Sequence, residues 1–108
     1  MESDKIVVMT TAGSFDEAAS ISKLLIKKRL AACCSVLQNV QSTYWWKGEI
    51  IEDAEVIVLI KSQKSVQQEL IETIKSVHSY EVPEILCLPV IGGYIPYLQW
   101  ISDTVAGE

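Results

Sequence analysis

No run in this sequence approaches the roughly 18 consecutive apolar residues that a membrane-spanning helix needs, so insertion into a bilayer is not expected. Positive charge is scarce: nine Lys and Arg stand against fourteen Asp and Glu, for a net charge of −5. That is the wrong sign for a protein that neutralises many phosphates, which removes nucleic acid and anionic membranes from the expected partners. Residues Met1-Glu2-Ser3-Asp4-Lys5 carry acids where a secretory signal carries a positive flank, and a cytoplasmic chain is expected. Three cysteines, Cys33, Cys34 and Cys87, form an odd set without framework spacing, as suits reduced thiols in such a compartment. A Cys-x-x-Cys pair, a second histidine, a Gly-rich phosphate loop and a Ser-His-Asp order are also missing. These absences exclude a zinc knuckle and leave little sequence support for nucleotide binding or catalysis. No low-complexity segment and no short-period repeat interrupts the chain.

Apolar side chains, by contrast, are plentiful: 49% of the 108 residues are hydrophobic and 21% charged. That is enough for one domain spanning residues 1–108, with apolar surface left over to meet another subunit. Ile6 to Met9 is a continuous apolar run within a strand from Lys5 to Thr11, as in a central strand covered on both faces. Ser14-Phe15-Asp16-Glu17 has the form of a capping box and starts a helix that runs to about Arg29. Its apolar stripe reads Phe15, Ala18, Ala19, Ser22, Leu25, Ile26 and Leu30. From Ala32 to Trp46 the period changes to two, which puts Cys34, Val36, Val40, Tyr44 and Trp46 on one side of a long strand. Lys47-Gly48 is a two-residue turn, and the strand returns from Glu49 to Lys61 through the apolar run Val56 to Ile60. Ser65-Val66-Gln67-Gln68 repeats the capping-box form ahead of a helix with Val66, Leu70, Ile71, Ile74 and Val77 that ends near His78. Pro83 to Val90 reads as an edge strand, because its prolines cannot donate to a ladder. Pro96 opens a short last helix with Tyr97, Leu98, Trp100 and Ile101.

The expected class is therefore α+β: a ferredoxin-like βαββαβ antiparallel sheet with helices on one face, a short C-terminal helix and a long hairpin between strands two and three. Strands one and three are expected at the centre, two and four at the edges. The hairpin arms far exceed the usual five or six residues, so their tip should project beyond the helices. That tip carries Tyr44, Trp45, Trp46, Ile50 and Ile51, an apolar patch that a lone subunit would leave in water beside two open sheet edges. Assembly of several copies through the hairpin resolves both exposures. The alternative is a bulge near Glu52-Asp53 that folds the hairpin back onto its own chain.

The segments Leu30-Ala31-Ala32-Cys33, Tyr44-Trp45-Trp46-Lys47-Gly48, Lys61-Ser62, Val77-His78-Ser79-Tyr80-Glu81-Val82-Pro83-Glu84 and Tyr97-Leu98-Gln99-Trp100-Ile101 resemble those of the CutA divalent-cation tolerance proteins. They follow in the same order over nearly the whole chain. The resemblance implies a homotrimer with sheets paired across subunits, and a link to copper and other divalent cations, with no cofactor required. The sequence departs from the family at Cys34-Ser35, where members more often have other residues followed by Asn.

Cys33 and His78 are the first candidates for a soft-metal site, since thiolate and imidazole are the ligands copper and zinc prefer, and the resemblance points to the same positions. Cys33 and Cys34 alternate on the strand, so only one can face a given pocket. The plainer reading makes the cysteines small core residues and His78 a cap on the second helix. The functional reading groups His78 with Tyr80, Glu81 and Glu84 at a subunit boundary. Glu84, entering an apolar strand, needs a partner such as Lys61. The metal set is thus Cys33, His78 and Glu84, and the ligand cleft Tyr80, Glu81 and Lys61. The leading function is a non-catalytic trimer that binds a metal ion or small ligand between subunits. The alternatives are a trimeric anchoring scaffold, or an enzyme with Cys33 as nucleophile and His78 as base.

Overall fold

In the computed structural model, which describes residues 3–105, the apolar runs become the middle of a sheet. Strand β1 spans Lys5–Ala12, helix α1 Phe15–Lys27, β2 Cys33–Trp46, β3 Glu49–Gln63, α2 Gln67–Val77, β4 Ile85–Pro89 and α3 Ile95–Val105. All neighbours pair antiparallel in the order β2-β3-β1-β4, the ferredoxin-like plan, with β1 and β3 central as expected. Among the described residues no helix is long and apolar enough to cross a membrane.

Alternate residues of β1 and β3, among them Ile6, Val8, Val56, Val58 and Ile60, join Ala18, Ile21 and Leu25 of α1 and Leu70 and Ile74 of α2 in one buried core. The α1 stripe therefore runs through Ile21, while Phe15 and Ile26 stay exposed. Ser14 accepts the Glu17 N–H at the start of α1. The helix stops in a Schellman motif: Arg29 takes φ 61°, Arg29 N–H bonds the Ile26 carbonyl and Leu30 N–H that of Leu25, and Leu30 joins the core beside Leu25. The second capping box does not form. Lys64–Val66 is a 3-10 turn, and α2 begins after Val66 without a side-chain cap.

The opposite sheet face is not covered as the apolar runs predicted. Val7, Met9, Ile57 and Leu59 are only half-buried, and Leu37, Leu86 and Leu88 on the same face are 44–50% exposed. One chain supplies one helical layer, and this face is left for something else. Helix α3 packs at one end only, where Ile101 and Val105 cluster with Ala32 and Val66.

The hairpin turns at Lys47 (φ 50°) and Gly48 (φ 83°), the two positive φ values of a tight type I′ connection. Its irregularity lies in the first arm, not near Glu52-Asp53. Leu37 pairs with Ile57 and Val40 with Glu55, so Gln38 and Asn39 together face Val56, and Asn39 adopts φ 62°. An extra residue in a period-two strand exchanges its faces. Cys34 and Val36 pack on the helices, whereas Val40, Tyr44 and Trp46 pair with Glu55, Ile51 and Glu49 on the open side. The sequence pattern had joined all five on one side.

Left-handed backbone is tolerated by Asn but penalised for β-branched residues. Asn39→Val is expected to lower stability by about 1–2 kcal/mol in denaturant melts, while Asn39→Gly stays close to wild type.

Candidate functional site

The face exchange brings the inner hairpin over the end of the sheet where the loop after α2 crosses β1. His78 follows α2 with an extended backbone, and its imidazole is fully buried. Nε2 lies 2.6 Å from the Thr11 carbonyl, and Nδ1 accepts the Tyr80 N–H at 3.0 Å. A carbonyl only accepts, so Nε2 carries the proton and both ring nitrogens are committed. The ring thus ties the end of α2 to β1 and does not cap its own helix.

Glu17, from the first turn of α1, closes the same loop. Its carboxylate accepts Ser79 N–H (2.8 Å), Ser79 Oγ–H (3.0 Å) and Gly13 N–H (3.3 Å), with His78 Nδ1 at 3.8 Å. Burial works to raise its pKa, but the bonds from Ser79 and Gly13 outweigh it and hold the carboxyl below its ordinary 4.5.

This clamp aims Tyr80 across the sheet. Its ring lies 4.8 Å from the His78 ring, and its hydroxyl donates to Glu55 Oε2 at 2.7 Å. Burial, then the bond to Glu55, pushes its phenol well above the ordinary 10. Tyr44 donates to Asp53 Oδ2 at 2.7 Å, which raises its phenol too. Between them opens a groove of about 410 Å³, with Thr11 and Glu55 at the base, Tyr44, Trp46 and Asp53 from the hairpin, and Tyr80, Glu81, Val82 and Glu84 from the loop. Lys47 Nζ stands at the rim, 3.9 Å from Glu81 Oε2.

The structure therefore gathers His78, Tyr80, Glu81 and Glu84 with Tyr44 and Trp46. Cys33 and Lys61 lie elsewhere: they pair with each other, and Lys61 pairs with Val7, four residues along β1 from Thr11, or about 13 Å. One chain thus holds Cys33 apart from His78, and Lys61 apart from Glu84, Tyr80 and Glu81. Lys61 Nζ donates instead to Ser35 Oγ, and Glu84 is exposed before β4. Cys34 faces the core beneath α1, where burial pushes its thiol up to about 11. Among the described residues no group of three His, Cys, Asp or Glu side chains is placed to hold a metal ion. At the tip, Trp45 and Ile50 pair on the helix side and are 70% and 61% exposed, and Ile51 is half-buried beside Tyr44. Glu55 and Asp53 were missed in the sequence. An acid directly before the apolar run Val56 to Ile60 was the available signal.

Residues 6–104 match the family model described as CutA1 divalent ion tolerance protein. The Divalent-cation tolerance protein CutA of Thermus thermophilus is 39% identical over 97 residues, covering 90% of this chain and 94% of that protein. The human Protein CutA is 46% identical over 86 residues, covering 80% of this chain and 48% of the human protein. The chloroplastic Protein CutA 1 of rice is 35% identical, covering 92% and 56%. The chain thus spans about half the length of the human and rice relatives. Among solved structures, CutA of Xylella fastidiosa superposes with TM-score 0.93 at 33% identity, over 95% of this chain and 99% of that one. The Thermus thermophilus structure superposes with TM-score 0.90 at 38% identity, over 93% and 97%.

A carboxyl whose folded pKa is depressed stabilises above its unfolded pKa and loses that contribution as pH falls through the folded value. Glu17→Gln should therefore lower Tm at pH 7 and flatten the decline of Tm below about pH 4.5, read by circular dichroism melts across pH.

Proposed function

The chain belongs to the CutA1 divalent ion tolerance family, and from that premise we propose that it serves divalent-cation tolerance as a non-catalytic homotrimer that binds a cation or small ligand in clefts between its subunits. The observation that carries this reading is the groove itself, walled by one chain and continuous with an apolar sheet face that the chain leaves half-open. A second copy laid on Leu37, Leu86 and Leu88 would remove that surface from water at roughly 25 cal/mol per Å², and the β2 and β4 edges offer backbone for pairing.

Four carboxylates on the groove, Asp53, Glu55, Glu81 and Glu84, favour a positively charged occupant in a chain of net charge −5. With both His78 nitrogens engaged, Glu81 and Glu84 are the groups we assign to cation contact, and His78 is a positioning residue. Copper or another divalent ion fits the family's name, and a site for it is completed by the neighbouring subunit. A thiol–imidazole enzyme would need Cys33 within roughly 3 Å of His78, which one chain does not provide. We place the protein in the cytoplasm, where its three free thiols stay reduced.

Native mass spectrometry of protein purified without added metal, then titrated with Cu²⁺ or Zn²⁺, tests this reading. Expected are three subunits and saturable ion uptake that weakens in Glu81→Gln/Glu84→Gln. A lasting single subunit, or uptake unchanged by the double substitution, overturns it.

A further inference from the structure

Glu55 is 7% exposed, yet its carboxylate has one hydrogen-bond partner among the described residues, the Tyr80 hydroxyl on Oε2. No ion pair there reaches it. A carboxylate so far out of water ordinarily meets a cation or several donors, and this one lines the groove. Its second oxygen is not sealed off as a buried atom without a partner but opens to the groove, where a positive, hydrogen-bonding group can take the place of water.

The rim indicates what kind. Lys47 Nζ, an alkylammonium, lies 5.6 Å from the Trp46 ring centroid and 3.9 Å from Glu81, and both Trp46 and Glu81 line the groove. The aromatic-plus-carboxylate pairing that suits organic cations is therefore already in use at its mouth. Even the four ligands that a zinc ion takes are not assembled by one chain: among the described residues no three His, Cys, Asp or Glu side chains converge on a point. A space of about 410 Å³ is instead of the size that takes small organic molecules.

We infer that the groove binds a small alkylammonium compound with two positive ends, one ammonium on Glu55 beside Tyr80, the stem along Trp46 and the other end among Glu81 and Glu84. This rests on the groove being the ligand cleft proposed above, and it names the ligand's class. The same chemistry is carried by a basic side chain of a neighbouring copy, and the inference commits to the free compound.

Calorimetric and thermal-shift titrations of the intact protein with 1,4-diaminobutane, with uncharged 1,4-butanediol and with Zn²⁺ decide it. The diamine should bind saturably and raise Tm, and the diol should not. Glu55→Gln keeps an acceptor for the Tyr80 hydroxyl and should weaken the diamine by about tenfold or more, as expected when a charge-assisted bond becomes neutral, with subunit number unchanged. Glu81→Gln, on an exposed side chain, should weaken it by less and serves if Glu55→Gln fails to fold. Zn²⁺ uptake without diamine binding overturns this inference and leaves the cation cleft standing. Failure of every probe on the assembled protein overturns both. A changed subunit number in Glu55→Gln assigns Glu55 to a neighbour's Lys or Arg and overturns the free ligand.

Discussion

One extra residue in β2 governs the site. Gln38 and Asn39 share a single partner, Val56, and the left-handed turn of Asn39 makes the strand exchange faces in mid-course. Without it, Tyr44 and Trp46 would continue the row of Cys34 and Val36 and point to the helix side of the sheet. With it, the first half of the strand completes the core and the second half builds a wall on the open face. The same strand thus serves stability at one end and the groove at the other.

The groove's third wall depends on an equally local device put to a distant use. Ser14 caps α1 by accepting the Glu17 N–H, and the Glu17 carboxylate, instead of turning back to the Ser14 N–H, takes the Gly13 N–H and reaches Ser79, 62 residues away. His78 pins the same loop to β1 through the Thr11 carbonyl. The His78 ring is fully shielded from water, where a hydrogen bond is strong and its loss costly, while the Glu17–Ser79 bonds lie at the surface. Both contacts hold Tyr80 over Glu55, so that a helix-capping residue, a buried imidazole and a phenol act in series to place a carboxylate at the base of the groove. Membership of the CutA1 family supplies the word tolerance, while these groups supply the chemistry: acids and aromatic rings around a space that favours positive charge.

Legibility followed the range of the interaction. The order of elements, the central β1 and β3, the Lys47-Gly48 turn and the Ser14 cap were all readable, because each rests on periodicity or on contacts three or four residues apart. The Ser65 cap failed where Lys64–Val66 forms a 3-10 turn between β3 and α2, with no side-chain cap bond at either start. The bulge that forms lies in the first arm and not near Glu52-Asp53, where only the alternative reading has one: Asn39 is an ordinary polar residue in a polar stretch, and only pairing with β3 shows that it is surplus. The carboxylates Asp53 and Glu55 escaped notice because their partners, Tyr44 and Tyr80, are nine and 25 residues away.

By itself the sequence determined the α+β class, the long hairpin, the acidic balance and the family, since apolar period, glycine and proline positions and charge count are properties of the chain read in order. Tertiary structure alone decided that Cys33 and Lys61 stand apart from His78 and Glu84, that His78 spends both nitrogens on backbone, and that Glu55 lines the groove. Those outcomes turn on strand register and on one inserted residue, and a period of two carries no record of where it slips until a neighbouring strand is laid against it.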